Sequence, residues 1–307
     1  MITMLRFLLK SEKKRVKGVP SQSTDGFTMI ELLVGAIVAF LIIGPLLGFV
    51  VSILNDDTRE QVKTTTDYEL QAAVDFISED LSQAYHIYNP DEIETIKPQL
   101  PQEGTPILVF WKLHRLPDSV PLPGTTILPN ACTPDLCNDT SVRAVVAYYL
   151  VKENDPGSIW CQPTGDCPKR IVRYLSHEPL EKFRGTRVYY DDGELKDSQK
   201  GTLDIDPKFT LDNPTADFPQ VDVAPDVLVN YISDFSLLPI EIDPASGNEI
   251  YIPETNDSVK FTIKANARRR RDGSPDATEF CDPGKNGEGT AECPKASVRV
   301  QGLPVQF

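Results

Sequence analysis

The chain has 307 residues, 40% of them hydrophobic and 8% aromatic, with 26 prolines and 18 glycines. That composition supports a packed core joined by many loops and excludes wholesale disorder. The formal charge of -14 argues against nucleic acid as a partner, because phosphate binding needs a basic face.

The charge is unevenly spread. Residues 1–26 hold Arg6, Lys10, Lys13, Lys14, Arg15 and Lys17 against Glu12 and Asp25, a net +4 that leaves -18 for the remainder. Met1 to Leu9 is mildly apolar but too short to span a bilayer, and Ser11 to Thr24 is a polar arm. A basic arm ahead of an apolar run stays on the cytoplasmic side. A secretory signal would place its small-residue cleavage site after the apolar core. Here Gly26 comes before it, so a cut at Gly26 would remove the basic leader and keep the helix.

Residues 32–54 carry no charge and are mostly apolar. As a helix they reach about 34 Å, against a hydrocarbon core of about 30 Å. A buried core helix is the competing reading, and the length without charge disfavours it. Gly35, Gly44-Pro45 and Gly48 interrupt the run. Pro45 removes one backbone donor and clashes one turn back, which predicts a kink or local melting near Gly44. Glu31 stands at the head of the run, where a carboxylate is costly unless paired. It is either a first-turn acid favoured by the helix dipole or the partner of a positive charge. That charge would be a new amino terminus at Phe27, on this subunit or a neighbour.

The stretch Gly26-Phe27-Thr28-Met29-Ile30-Glu31-Leu32-Leu33-Val34 resembles the processing site of type IV prepilins and type II secretion pseudopilins. The resemblance implies cleavage between Gly26 and Phe27 by the prepilin peptidase, a membrane-embedded aspartyl enzyme. It implies N-methylation of Phe27 and a role for Glu31 in assembly. It also implies packing against other pilins or pseudopilins through the N-terminal helix, and a pilin-like fold. Gly44-Pro45 lies a few residues earlier than the proline common in major pilins.

Residues 55–89 read as an amphipathic continuation of that helix, with Asn55-Asp56-Asp57 marking the exit from lipid. Leu70, Val74, Ile77, Leu81, Ala84/Tyr85 and Tyr88 form one apolar stripe. Asn89-Pro90 is expected to end the run. Phe76 to Tyr85 resembles the larger minor pseudopilins, the J-class and W-class components. The composition is similar to pseudopilins linked to polysaccharide secretion in filamentous cyanobacteria.

From residue 90 to 307 the pattern is a β-rich exported domain, so the fold class is α+β. Strands are expected at Ile107–Trp111, Val142–Val151, Arg170–Leu175, Val227–Ile240, Val259–Ala265 and Ser297–Val300, with a short one at Val188–Tyr190. Pro117 to Pro134 reads as a loop. The second and third strands form a long-looped hairpin. All six cysteines follow the apolar run as near neighbours: Cys132/Cys137, Cys161/Cys167 and Cys281/Cys293. They read as disulfides that staple local loops, with connectivity open and zinc as the alternative.

No catalytic motif surrounds His86, His114 or His177, so an enzyme is not expected. Asp191-Asp192-Gly193-Glu194 and Asp204-Ile205-Asp206 offer oxygen ligands for calcium or form solvated turns. Arg268 to Arg271 is either a solvated strand end or a contact for an acidic neighbour or anionic polymer. The composite expectation is a minor pseudopilin, anchored in the inner membrane by one helix with its domain outside the cytoplasm. A type IV pilus minor pilin for motility or DNA uptake, and a signal-anchored enzyme or binding domain, are the alternatives.

Overall fold

The computed structural model describes residues 28–122, 131–161, 167–177, 225–242, 249–251, 258–272, 277, 279–282, 284–285 and 289–303. Residues 1–27, among them Gly26 and Phe27, Val188–Tyr190 and both acidic stretches, 191–194 and 204–206, lie outside the described residues. The chain divides into two compact units, residues 1–56 and 57–307.

Helix α1 (Met29–Ser82) begins in the first unit. Residues 29–54 are exposed throughout, and the helix is long and apolar enough to cross a membrane. It continues through Gly44 and Pro45 without a break, so local melting does not occur there. A proline deletes one donor from the ladder, and the residues around it keep theirs.

Within the second unit, α1 turns Leu70, Ala73, Val74, Ile77 and Leu81 into the core. The three-and-four spacing of these residues is the seam expected from the sequence. The helix stops at Ser82, however, short of Tyr88. Residues Ala84–Ile87 form strand β1 instead, with Ala84 opposite Lys112 and Ile87 opposite Phe110. Burial explains the switch. Ala84 and Ile87 join the core on the α1 side, whereas Tyr88 joins the core on the opposite face of the sheet. A helix would serve one side only; an extended chain supplies both.

Asn89-Pro90 therefore starts a helix rather than ending one. Asn89 caps α2 (Pro90–Ile96) with a reciprocal box. Its Oδ1 accepts from the Glu92 N–H at 2.9 Å, and its own N–H donates to Glu92 Oε2 at 2.8 Å. Pro90 fits the first turn because its missing donor would have no intrahelical acceptor.

The remaining strands are β2 (Thr105–Pro121), β3 (Cys137–Lys152), β4 (Lys169–His177), β5 (Asp226–Ile242), β6 (Glu249–Tyr251), β7 (Ser258–Ala265) and β8 (Lys295–Gln301). Among the described residues they form one antiparallel sheet in the order β1-β2-β3-β4-β5-β7-β8, with β6 paired to β5. Pro117–Pro121, expected in a loop, belongs to β2. A register shift between Leu116 and Val120 and a positive φ at Asp118 absorb Pro117 there, as a bulge allows. The β3–β4 hairpin is as anticipated.

The sheet has a core on each face. On one lie α1 and residues such as Phe110, Val146, Tyr148, Ile171 and Phe261. On the other, α2 and its flanks cover Trp111, Tyr149 and Tyr174, and the Trp111 indole donates to Tyr88 Oη at 2.9 Å. Past β8, the Leu303 N–H donates to the Ala84 carbonyl at 2.7 Å. That bond links the chain leaving one edge strand to the other edge strand, so the sheet curls and part of its edge is satisfied. The disulfides are Cys132–Cys137, Cys161–Cys167 and Cys281–Cys293, each closing a local loop. With all six cysteines so bonded, the zinc alternative falls away.

Candidate functional site

Three places carry the chemistry that the sequence singled out or concealed. The first is the start of α1. The Glu31 N–H donates to the Thr28 carbonyl at 3.0 Å and lies 3.4 Å from Thr28 Oγ1. Thr28 thus precedes the first turn in the manner of a cap, with an acid three residues on, where the helix dipole favours it. Gly26 and Phe27 lie outside the described residues, so their geometry relative to Glu31 is not part of this site.

The second place is a buried charge cluster in the seam between α1 and the sheet. Asp80 is 5% exposed. Its Oδ1 accepts from Lys112 Nζ at 2.5 Å, and its Oδ2 accepts from Tyr148 Oη and Arg173 Nε, each at 2.7 Å. Lys112, Tyr148 and Arg173 come from β2, β3 and β4, so one helical carboxylate gathers three neighbouring strands. Arg173 also lies over the Phe76 ring, 5.7 Å from its centroid. Burial alone would raise the Asp80 pKa. The hydrogen bonds and charge of Arg173, with Lys112 and Tyr148, outweigh it and hold the carboxyl below its ordinary value.

Beside this cluster, His114 on β2 and His177 on β4 stack across β3, with ring centroids 5.4 Å apart and planes 23° from parallel. Their strand partners there are Val142 and the small Ala144. Burial first, then His177, Lys112 and Arg173, depress the His114 pKa to about 4, with Asp80 opposing. Asp80 is already engaged by Lys112, Arg173 and Tyr148.

The third place is the arginine run. It forms α3 (Ala267–Arg271) and is neither a strand end nor wholly solvated. Arg270 makes a two-pronged bond to Glu69 of α1, at 2.6 and 2.8 Å. Arg271 and Arg59 both meet Glu292 at 3.1 Å, and Arg268 covers the Phe280 ring. These cations bind their own chain.

Asp80, Lys112, Tyr148, Arg173 and Glu69 escaped the sequence reading. The signal was present for Asp80, three residues after Ile77 on the buried stripe, and for Lys112, directly after the apolar run Ile107–Trp111. Among the described residues, no group of three or more His, Cys, Asp or Glu side chains is arranged to hold a metal ion. Comparison with protein-family models, curated proteins and solved structures finds no match.

Two outcomes follow from the cluster. Asp80→Asn leaves Lys112 and Arg173 buried without a counter-charge and should cost about 3–5 kcal/mol, read as a lowered urea midpoint at unchanged slope. The second concerns pH. His114 in the folded chain binds its proton only near pH 4, whereas the unfolded chain binds it near 6.5. Between those values the unfolded state holds more protons, so stability falls as pH drops through that window. His114→Phe should flatten urea midpoints between pH 6.5 and 4. The separate loss from Asp80, whose folded carboxyl is held below its ordinary value, begins as pH falls through the ordinary carboxylate range and should persist in the variant.

Proposed function

We propose that the chain is a minor pseudopilin, processed after Gly26 and built into a type II secretion or type IV pilus-like filament. The observation that carries this reading is the motif Gly26-Phe27-Thr28-Met29-Ile30-Glu31 at the head of a membrane-length helix. Helix α1 begins at Met29, just past the proposed scissile bond. The fold supports the same reading: an apolar N-terminal helix followed by an antiparallel sheet domain with disulfide-stapled loops. Disulfides suit an oxidising compartment, which fits a leader held inside the inner membrane and a domain outside it.

In this account the prepilin peptidase adds water across the Gly26–Phe27 amide. Gly26 leaves with a carboxylate and Phe27 gains a free amine; that amine then takes a methyl group from a sulfonium methyl donor, releasing the donor's thioether and a proton. The ammonium pairs with Glu31 on the same or a neighbouring subunit as the apolar helices pack. A charge in hydrocarbon is tolerated when it is neutralised in this way. The domain's task is mechanical, presenting loops to partner subunits or cargo.

Intact mass of the membrane-extracted protein tests the reading after co-expression with a prepilin peptidase. The expected product lacks residues 1–26 and carries one added methyl group on Phe27; retention of residues 1–26 contradicts the proposal. Glu31→Ala should be cleaved normally yet fail to co-assemble. Normal entry of that variant into filaments would remove Glu31 from the assembly step.

A further inference from the structure

Tyr231 stands inside β5 with φ at 60°, a left-handed conformation that bulky residues rarely adopt. The register shift against β4, between Val229 and Ile232, brackets the position, and the shift against β7 follows it, between Ile232 and Asp234. Such a conformation persists only where the surroundings over-determine it. Here the Tyr231 N–H donates to Asn230 Oδ1 at 2.9 Å, and the Tyr231 carbonyl accepts from the Asn266 N–H at 2.8 Å. Asn266 in turn caps α3 through the Arg269 N–H and donates to the Ala277 carbonyl, both at 2.8 Å.

The third restraint reaches α1. The Arg270 guanidinium lies over the Tyr231 ring, 5.4 Å from its centroid, and the same group grips Glu69 with both prongs. One side chain therefore holds the strained bulge and the helix together. Removing the bulge would shift β5 against its neighbours by one residue and exchange its faces.

We propose that Glu69, Arg270 and Tyr231 form a two-state latch between α1 and β5. Closed, Arg270 keeps Tyr231 in its left-handed conformation and α1 seated along residues 59–70. Open, the bulge relaxes and that length of helix loosens. Arg59, Arg271 and Glu292 lie on the same side and add a second, parallel grip. The latch does not rest on the pseudopilin reading, and a failed processing assay leaves it standing.

Reciprocity supplies the test, because coupling between two sites must be felt at both. Amide hydrogen exchange of the full chain in detergent micelles would follow peptides covering 59–70 and 228–234. In Glu69→Gln, exchange in both segments should rise at least about fivefold. Tyr231→Gly accepts the left-handed backbone freely but removes the ring beneath Arg270, and it too should loosen 59–70. In Glu69→Gln, a rise confined to one segment or to neither overturns the latch; in Tyr231→Gly, unchanged exchange at 59–70 does. Should the variants fail to fold, the wild-type chain at about 1 M salt, where the Debye length is about 3 Å, decides on the same two segments: joint loosening supports the latch, and any other pattern overturns it.

Discussion

Asp80 is the point on which the second compact unit, residues 57–307, turns. A carboxylate taken out of water costs several kcal/mol unless it is paired and fully hydrogen-bonded. Asp80 meets that demand only by reaching Lys112, Tyr148 and Arg173 at once. Because those residues sit on β2, β3 and β4, the demand fixes the rotation and the height of α1 on the sheet. Apolar contacts alone would not. Leu70, Val74, Ile77 and Leu81 would bury equally well after a small slide of the helix, since the hydrophobic effect is not directional. A slide would strand the charge.

Docking at Asp80 also explains where the helix ends. With Asp80 fixed against the sheet, the next residues are already at its edge. The chain there gains more from pairing Ala84–Ile87 with β2 than from another helical turn, because pairing lets Tyr88 cross to the second core and bond Trp111. The far end of the docked segment is held differently. Around Glu69 and Arg59 the contacts are half-exposed ion pairs from α3 and the Cys281–Cys293 loop. Such pairs are screened by solvent and salt, so the grip is firm at Asp80 and adjustable nearer the membrane-length segment.

Much of this was legible in the residues. The uncharged run 32–54 announced a helix of membrane length, the spacing of Leu70 to Leu81 gave the buried seam, and the cysteine neighbours matched the loops they staple. What escaped notice has physical reasons. Ala84, Tyr85 and Tyr88 continue a helical spacing by coincidence, because a short strand buried on both faces presents apolar residues at nearly every position. Pro117 argued for a loop, yet a bulge accommodates it inside a strand. Arg268 to Arg271 looked solvated because their acids, Glu69 and Glu292, are distant along the chain or lie in a loop. Asp80 was overlooked for the same reason: its partners lie 32, 68 and 93 residues away, beyond the reach of any local pattern.

The central claim is that Asp80 and the strand cations act as one unit in docking α1. A double-mutant cycle between Asp80→Asn and Arg173→Gln, read by urea unfolding of the full chain, tests it most directly. The account predicts a coupling energy of about 1–3 kcal/mol, the double variant being far less destabilised than the sum of the singles. Additivity within about 0.5 kcal/mol would contradict it, showing that the two residues stabilise the fold independently.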